Sequence, residues 1–93
     1  MSLATPLRPT ATQNVAFTSA SAQSANLAIS TIIVRLAATQ DCYVAFGNDP
    51  TAVVGSMLIK AGEPDYFKSY PGEKIAVISA GTNGILNIAE MNA

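Results

Sequence analysis

Apolar residues in this chain alternate with polar or small ones in short runs, and each run ends at a cluster of glycine, proline, asparagine or aspartate. A period of two marks strands with one buried face; the three-and-four spacing of a helix is not sustained anywhere over a useful length. Val15 and Phe17 alternate with Asn14, Ala16 and Thr18. In "TIIVRLAAT", Ile32, Val34 and Leu36 lie opposite Ile33, Arg35 and Ala37, and in "CYVAF" Cys42, Val44 and Phe46 lie opposite Tyr43 and Ala45. "SMLIK" (56–60) reads as a further strand, and in "DYFKSY" Phe67 faces away from Tyr66, Lys68 and Tyr70. Ile75 and Val77 share one face of "EKIAVIS", as Leu86 and Ile88 do in "ILNIAEM". About eight short strands follow, and with them an all-β fold: an antiparallel β-sandwich, jelly-roll-like in strand number.

The breakers between runs set the turns. Gly47-Asn48-Asp49-Pro50 reverses the chain, with Pro50 pushing Asp49 away from helical angles. Pro71-Gly72 suits the two central positions of a tight turn, and Gly84 closes the turn sequence 80–84. Adjacency predicts two hairpins, one joining the strands on either side of Gln40-Asp41 and one joining those on either side of 80–84. Residues 19–30, rich in serine and alanine, read as a loop leading to a short strand at Leu27 and Ile29, with a helix as the alternative. Residues 51–55 read as a loop or one helical turn. Pro6 and Pro9 remove backbone donors, so residues 1–11 are expected to form an extended arm, unpaired or lying on a neighbouring subunit, ahead of a single domain at 12–93.

Ninety-three residues support one core. With much alanine, no tryptophan and 6% aromatic residues, that core is built from small side chains. Charged residues make up 12%, about half the usual quarter, and the net charge is −1. Five cations spread singly along the chain give no basic stripe for phosphates, so no nucleic-acid partner is expected. A single cysteine rules out an internal disulfide and points to synthesis in a cytoplasm. No apolar run approaches a membrane span, and no membrane partner is expected.

Reactive chemistry finds little material. With no histidine, no Ser-His-Asp or Cys-His arrangement is possible within the chain. The six acids, Asp41, Asp49, Glu63, Asp65, Glu73 and Glu90, fall in predicted turns or at strand ends, where solvated carboxylates sit. Cys42 has the pattern of an inward-facing strand residue. Asn48-Asp49 is a fragment of a calcium loop at most, and the glycines at 81 and 84 lack the lysine of a phosphate-binding loop. No catalytic residue, metal ligand or cofactor is assigned. Ile33 beside Val34 and Ile78 beside Val77 give strands apolar on both faces, which an oligomeric contact would cover. Together with Tyr43, Tyr66 and Tyr70 they form the candidate interface; stacking on sugar rings is the lesser alternative for the tyrosines, which are expected to cover a core edge or a subunit contact.

The order of motifs "TQNVAFTSASAQSA", "CYVAFGNDPTA" and "AGEPDYFKSYPGEKIAVISAGTNGILNIAEM" resembles a group of small structural proteins encoded among the head genes of tailed bacteriophages and prophages. The matching features are the Ser/Ala/Gln-rich lead, Phe46-Gly47 before an Asp-Pro-Thr-Ala turn, Tyr66-Phe67, the Pro-Gly-Glu-Lys turn at 71–74 and the closing Glu90-Met91. They cover about four-fifths of the chain and are turns and strand patterns, which specify fold better than function. The resemblance implies a β-sandwich or jelly-roll subunit, made in the host cytoplasm and carried in the virion. It would associate with itself as a trimer and decorate or cement the capsid beside the major capsid protein. No catalytic residue is implied. A small carbohydrate- or receptor-binding module of a phage neck or tail is the alternative.

Overall fold

The computed structural model describes residues 8–28 and 33–92. Among them are eight strands and no helix: β1 (Arg8–Phe17), β2 (Ala22–Gln23), β3 (Ile33–Ala38), β4 (Cys42–Gly47), β5 (Met57–Ile59), β6 (Asp65–Lys68), β7 (Lys74–Ser79) and β8 (Gly84–Asn92). They form two four-stranded antiparallel sheets, ordered β1-β8-β3-β6 and β2-β7-β4-β5. The all-β sandwich expected from the alternation is therefore what the chain adopts.

Each sheet turns its apolar side chains toward the other. Val15, Phe17, Val34, Leu36, Leu86 and Ile88 of the first sheet are buried with Cys42, Val44, Ile59, Ile75 and Val77 of the second in one cluster. The alternation is strict on β3, where every second residue from Val34 is buried and those between are half-buried. Complete burial of such a side chain contributes about 1.5–3 kcal/mol, so this layer is the main source of stability. At one end of the layer, Phe46 and Phe67 meet across the sheets in a tilted pair with centroids 5.7 Å apart.

Both predicted hairpins are corrected. β3 and β4 lie in different sheets, as do β7 and β8; among the described residues, the only consecutive strands that pair with each other are β4 and β5. The physical reason is the core itself. As a hairpin, β3 and β4 would put Val34, Leu36, Cys42 and Val44 side by side on one face of one sheet; as an arch they face each other across the interior. The arches are held by main-chain bonds. Thr39 N–H donates to Ile85 O at 3.0 Å, Ala80 N–H to Asp41 O at 3.1 Å and Gly62 N–H to Ala38 O at 3.1 Å.

The arm expected at 1–11 is also corrected where it is described. Arg8 to Ala11 belong to β1 and run beside β8, Arg8 opposite Asn92 and Ala11 opposite Glu90, with a register shift between Pro9 and Ala11. Proline is accommodated because β1 is an edge strand and the irregularity falls beside it. Between β1 and β3, Ala22–Gln23 is the only strand among the described residues; Leu27 is buried without being in one, and Ile29 lies outside the described residues. Ser24 and Leu27 instead dock on β7 and the turn before it, their N–H groups donating to Ile75 O and Glu73 O. In the 51–55 segment the chain makes a turn closed by Ser56 N–H to Val53 O, with Gly55 at φ 101°.

Two predicted turn glycines serve different ends. Gly72, at φ 73°, takes the left-handed position of a Pro-Gly turn closed by Glu73 N–H to Tyr70 O. Gly84 has no such angle; a Cβ there would lie 2.7 Å from Thr39 Oγ1 and 2.8 Å from Phe17 Cζ. Gly84 is thus the space into which the buried Phe17 ring and the β3 arch close. Substitution Gly84→Ala is expected to cost about 1–3 kcal/mol by overpacking. Gly47→Ala, whose Cβ would meet only Pro50 at 3.8 Å, serves as a near-neutral control in urea melts.

Candidate functional site

Four of the six acids have structural partners within the fold. Asp41 Oδ1 accepts from Ala61 N–H at 2.8 Å and its Oδ2 pairs with Lys60 Nζ at 3.2 Å, fixing the turn after β5 to the start of β4. These contacts, the Ala61 amide first, hold its carboxyl below the usual carboxylate range. Asp49 Oδ1 accepts from Gln23 Nε2 at 2.8 Å, and Glu73 Oε1 from Tyr70 N–H at 2.8 Å. Among the described residues, no three of His, Cys, Asp and Glu gather closely enough to hold a metal ion.

Glu90 departs from the expectation of a solvated carboxylate at a strand end. It lies within β8 and is buried, on the inward face with Leu86 and Ile88. Its Oε1 accepts from Ala28 N–H at 2.8 Å, so the carboxylate satisfies the chain where it crosses beneath the first sheet. The nearby Gln13 does likewise for Ala25, its Oε1 accepting from Ala25 N–H at 2.9 Å. Nothing in the sequence separates Glu90 from the other acids, because the loop it serves is more than sixty residues away in the chain.

Cys42 is fully buried in the core cluster, as its alternation implied. Burial first, and the negative Asp41 beside it second, push its thiol from 9.0 up to about 11. It is a packing residue and a poor nucleophile.

The five candidate interface residues divide between opposite outer surfaces. Tyr43 and Ile78 are cross-strand neighbours on the outside of the second sheet, and Leu58 lies on the other side of Tyr43. Tyr43 and Ile78, with Val54, Ser19 and residues 79–81, line an open groove of about 350 Å³. Val53, Val54 and Leu58 are exposed by 56%, 73% and 45%. These three were not among the sequence candidates; the available signal was a pair of adjacent valines between the breakers Pro50 and Gly55, with no strand to bury them. The connection carrying them is pinned to β2 and the residue before it, since Gln23 Nε2 also donates to Pro50 O at 2.7 Å and Ala52 N–H donates to Ser21 Oγ at 2.9 Å. Pro50 and Ala52 are buried as a result, leaving the valines outward.

Ile33 and Tyr66 lie on the outside of the first sheet, Ile33 opposite Lys68 and Tyr66 opposite Arg35. Tyr66 and Tyr70 are exposed by 55% and 60%. Tyr70 lies beyond the end of β6, yet remains beside Lys68, whose Nζ is 5.2 Å from its ring centroid. The first surface therefore mixes aromatic and cationic groups, whereas the groove on the second is lined without charge.

No protein-family model matches the chain, and no curated protein and no solved structure is significantly similar to it. The surfaces stand on their own chemistry.

The buried thiol leads to a definite expectation. The folded chain holds the Cys42 proton more tightly than the unfolded chain does, so its contribution is complete below the ordinary thiol pKa and is lost as pH rises from 9.0 toward about 11. The urea midpoint is expected to fall across that window, and to fall less in Cys42→Val. At pH 8, a thiol reagent should modify the wild type only at the rate of unfolding.

Proposed function

We propose that this chain is a non-enzymatic structural protein of a tailed-phage virion, a jelly-roll subunit that associates with copies of itself, as a trimer, and decorates or cements the capsid. The observation that carries the self-association is the uncharged groove on the outside of the second sheet, where Val54 stands exposed beside Tyr43 and Ile78, with exposed Leu58 across from Tyr43. Apolar residues grouped on one surface of a small domain mark an association site. The virion assignment is supported by the resemblance of the turn and strand motifs to phage head proteins. The double-sheet arrangement of eight strands is compatible with it, since capsid proteins use such folds, though lectins do too.

A second reading, a carbohydrate- or receptor-binding module of a neck or tail, is favoured by the exposure of Tyr66 and Tyr70 beside Lys68. Sugars stack on such rings. A glycan array separates the readings: retention abolished by Tyr66→Ala and Tyr70→Ala would support the second, and no retention the first.

Light scattering of the purified chain tests the self-association. A mass of three chains or a whole multiple of three is expected at micromolar concentration, with Val54→Asp and Leu58→Asp shifting it to smaller species while the melting temperature of the subunit fold is kept. A monodisperse monomer for the wild type would overturn the proposal.

A further inference from the structure

The outer edge of β1 is where the backbone itself has bonds left to make. Ile85 gives its carbonyl to Thr39 N–H and its N–H to Thr39 Oγ1, so its main-chain groups face β3. Main-chain groups alternate sides along a strand, so those of Leu86, Ile88 and Glu90 face β1. Thr10 Oγ1 donating to Glu90 O at 3.1 Å agrees with that direction. Val15 lies opposite Leu86 and Gln13 opposite Ile88, so these two bond inward to β8. It follows that Thr12, Asn14 and Ala16 turn their N–H and C=O groups outward. All three residues are exposed, and no described residue makes a main-chain bond to that edge.

Folded monomers blunt their edges with short strands, charge, proline or bulges. The other three edges are short: two residues in β2, three in β5 and four in β6. β1 runs for ten, and Pro9 with its register shift blunts only the first few. From Ala11 to Phe17 the strand carries no charge.

We propose that this edge pairs antiparallel with the same edge of a second copy, Asn14 opposite its counterpart and Thr12 opposite Ala16. In this register all three outward residues of each copy exchange both bonds with their opposites, and the two first sheets become one continuous sheet. The side chains agree with the register. Asn87 Nδ2 donates to Asn14 Oδ1 at 2.8 Å, which leaves the Asn14 amide N–H groups to bond across the junction. A row of four asparagine amides then spans four strands. A second copy is the fitting occupant because the stretch is complementary to its own image, small or hydroxyl residues flanking a central amide with no charge to repel itself. Such pairing closes about a two-fold axis, so it joins two copies and leaves a three-fold contact to the apolar surface of the second sheet. The inference rests on the proposed function only in taking the occupant to be this same chain.

Two variants of the full chain test it. Asn14→Pro removes an outward N–H and spares the bonds to β8, so the two-fold contact should weaken about thirtyfold in sedimentation equilibrium, two bonds being lost per junction. Asn14→Cys should form covalent dimers under mild oxidation, and a mixture of Thr12→Cys with Ala16→Cys should do so as well, whereas Ala16→Cys alone should not. Cys42 is buried and adds no background. If Asn14→Pro fails to fold, the cross-linking pattern decides. Wild-type sedimentation unchanged by Asn14→Pro, with Asn14→Cys cross-linking no faster than Ala16→Cys, would overturn the edge pairing and leave a trimer standing. A wild type that is monomeric throughout, with an Asn14→Cys chain that does not cross-link, would overturn both.

Discussion

Everything in this fold depends on the contact between the inward faces of its two sheets. Neither sheet is stable with Val34, Leu36, Leu86 and Ile88 on one side or Cys42, Val44, Ile75 and Val77 on the other facing water, and each is the other's cover. The chain meets that requirement by changing sheets at nearly every connection, keeping only β4 and β5 as neighbours in both sequence and space. Arches then replace hairpins, and the polar groups they expose need partners. Asp41 fixes one arch, Thr39 and Gly84 another, and buried Glu90 receives the chain as it crosses from β2 toward β3.

The alternation was legible residue by residue. Phe17, Leu36, Val44, Val77 and Ile88 are all buried, and Cys42 is the core residue its neighbours implied. Pro71-Gly72 makes the turn its composition dictates. Pairing was not legible, because a period of two says which side chains point together and nothing about which sheet a strand joins. The inward residues of β3 and β4 read identically whether the strands lie side by side or face each other. Long-range polar contacts were hidden for the same reason: Glu90 looks like any other acid until the fold brings Ala28 to it. Of the surface candidates, Tyr43, Tyr66, Tyr70, Ile33 and Ile78 all lie on outer faces, but on two different ones, and Val53 and Val54 go outward only because Pro50 and Ala52 are pinned to the strand beneath.

What remains outside the core is a surface with little to react and much to cover. Asp41, Asp49, Glu73 and Glu90 each hold backbone or side-chain donors within the fold, and burial holds the Cys42 thiol protonated up to alkaline pH. Three surface features are open to partners under the proposed reading. One is the uncharged groove around Tyr43 and Val54, another the tyrosine and lysine group by β6, and the third the unblunted edge of β1. A subunit that builds assemblies needs more than one such contact, because a single closed interface ends growth after the first ring or pair.

The central claim is that the chain is a component of a virus particle present in many copies. Quantitative mass spectrometry of purified particles from an induced host whose genome encodes the chain measures that directly. The account predicts the chain at a copy number of the same order as the major capsid protein. Its absence from intact particles, with the protein abundant in the cell lysate, would contradict it.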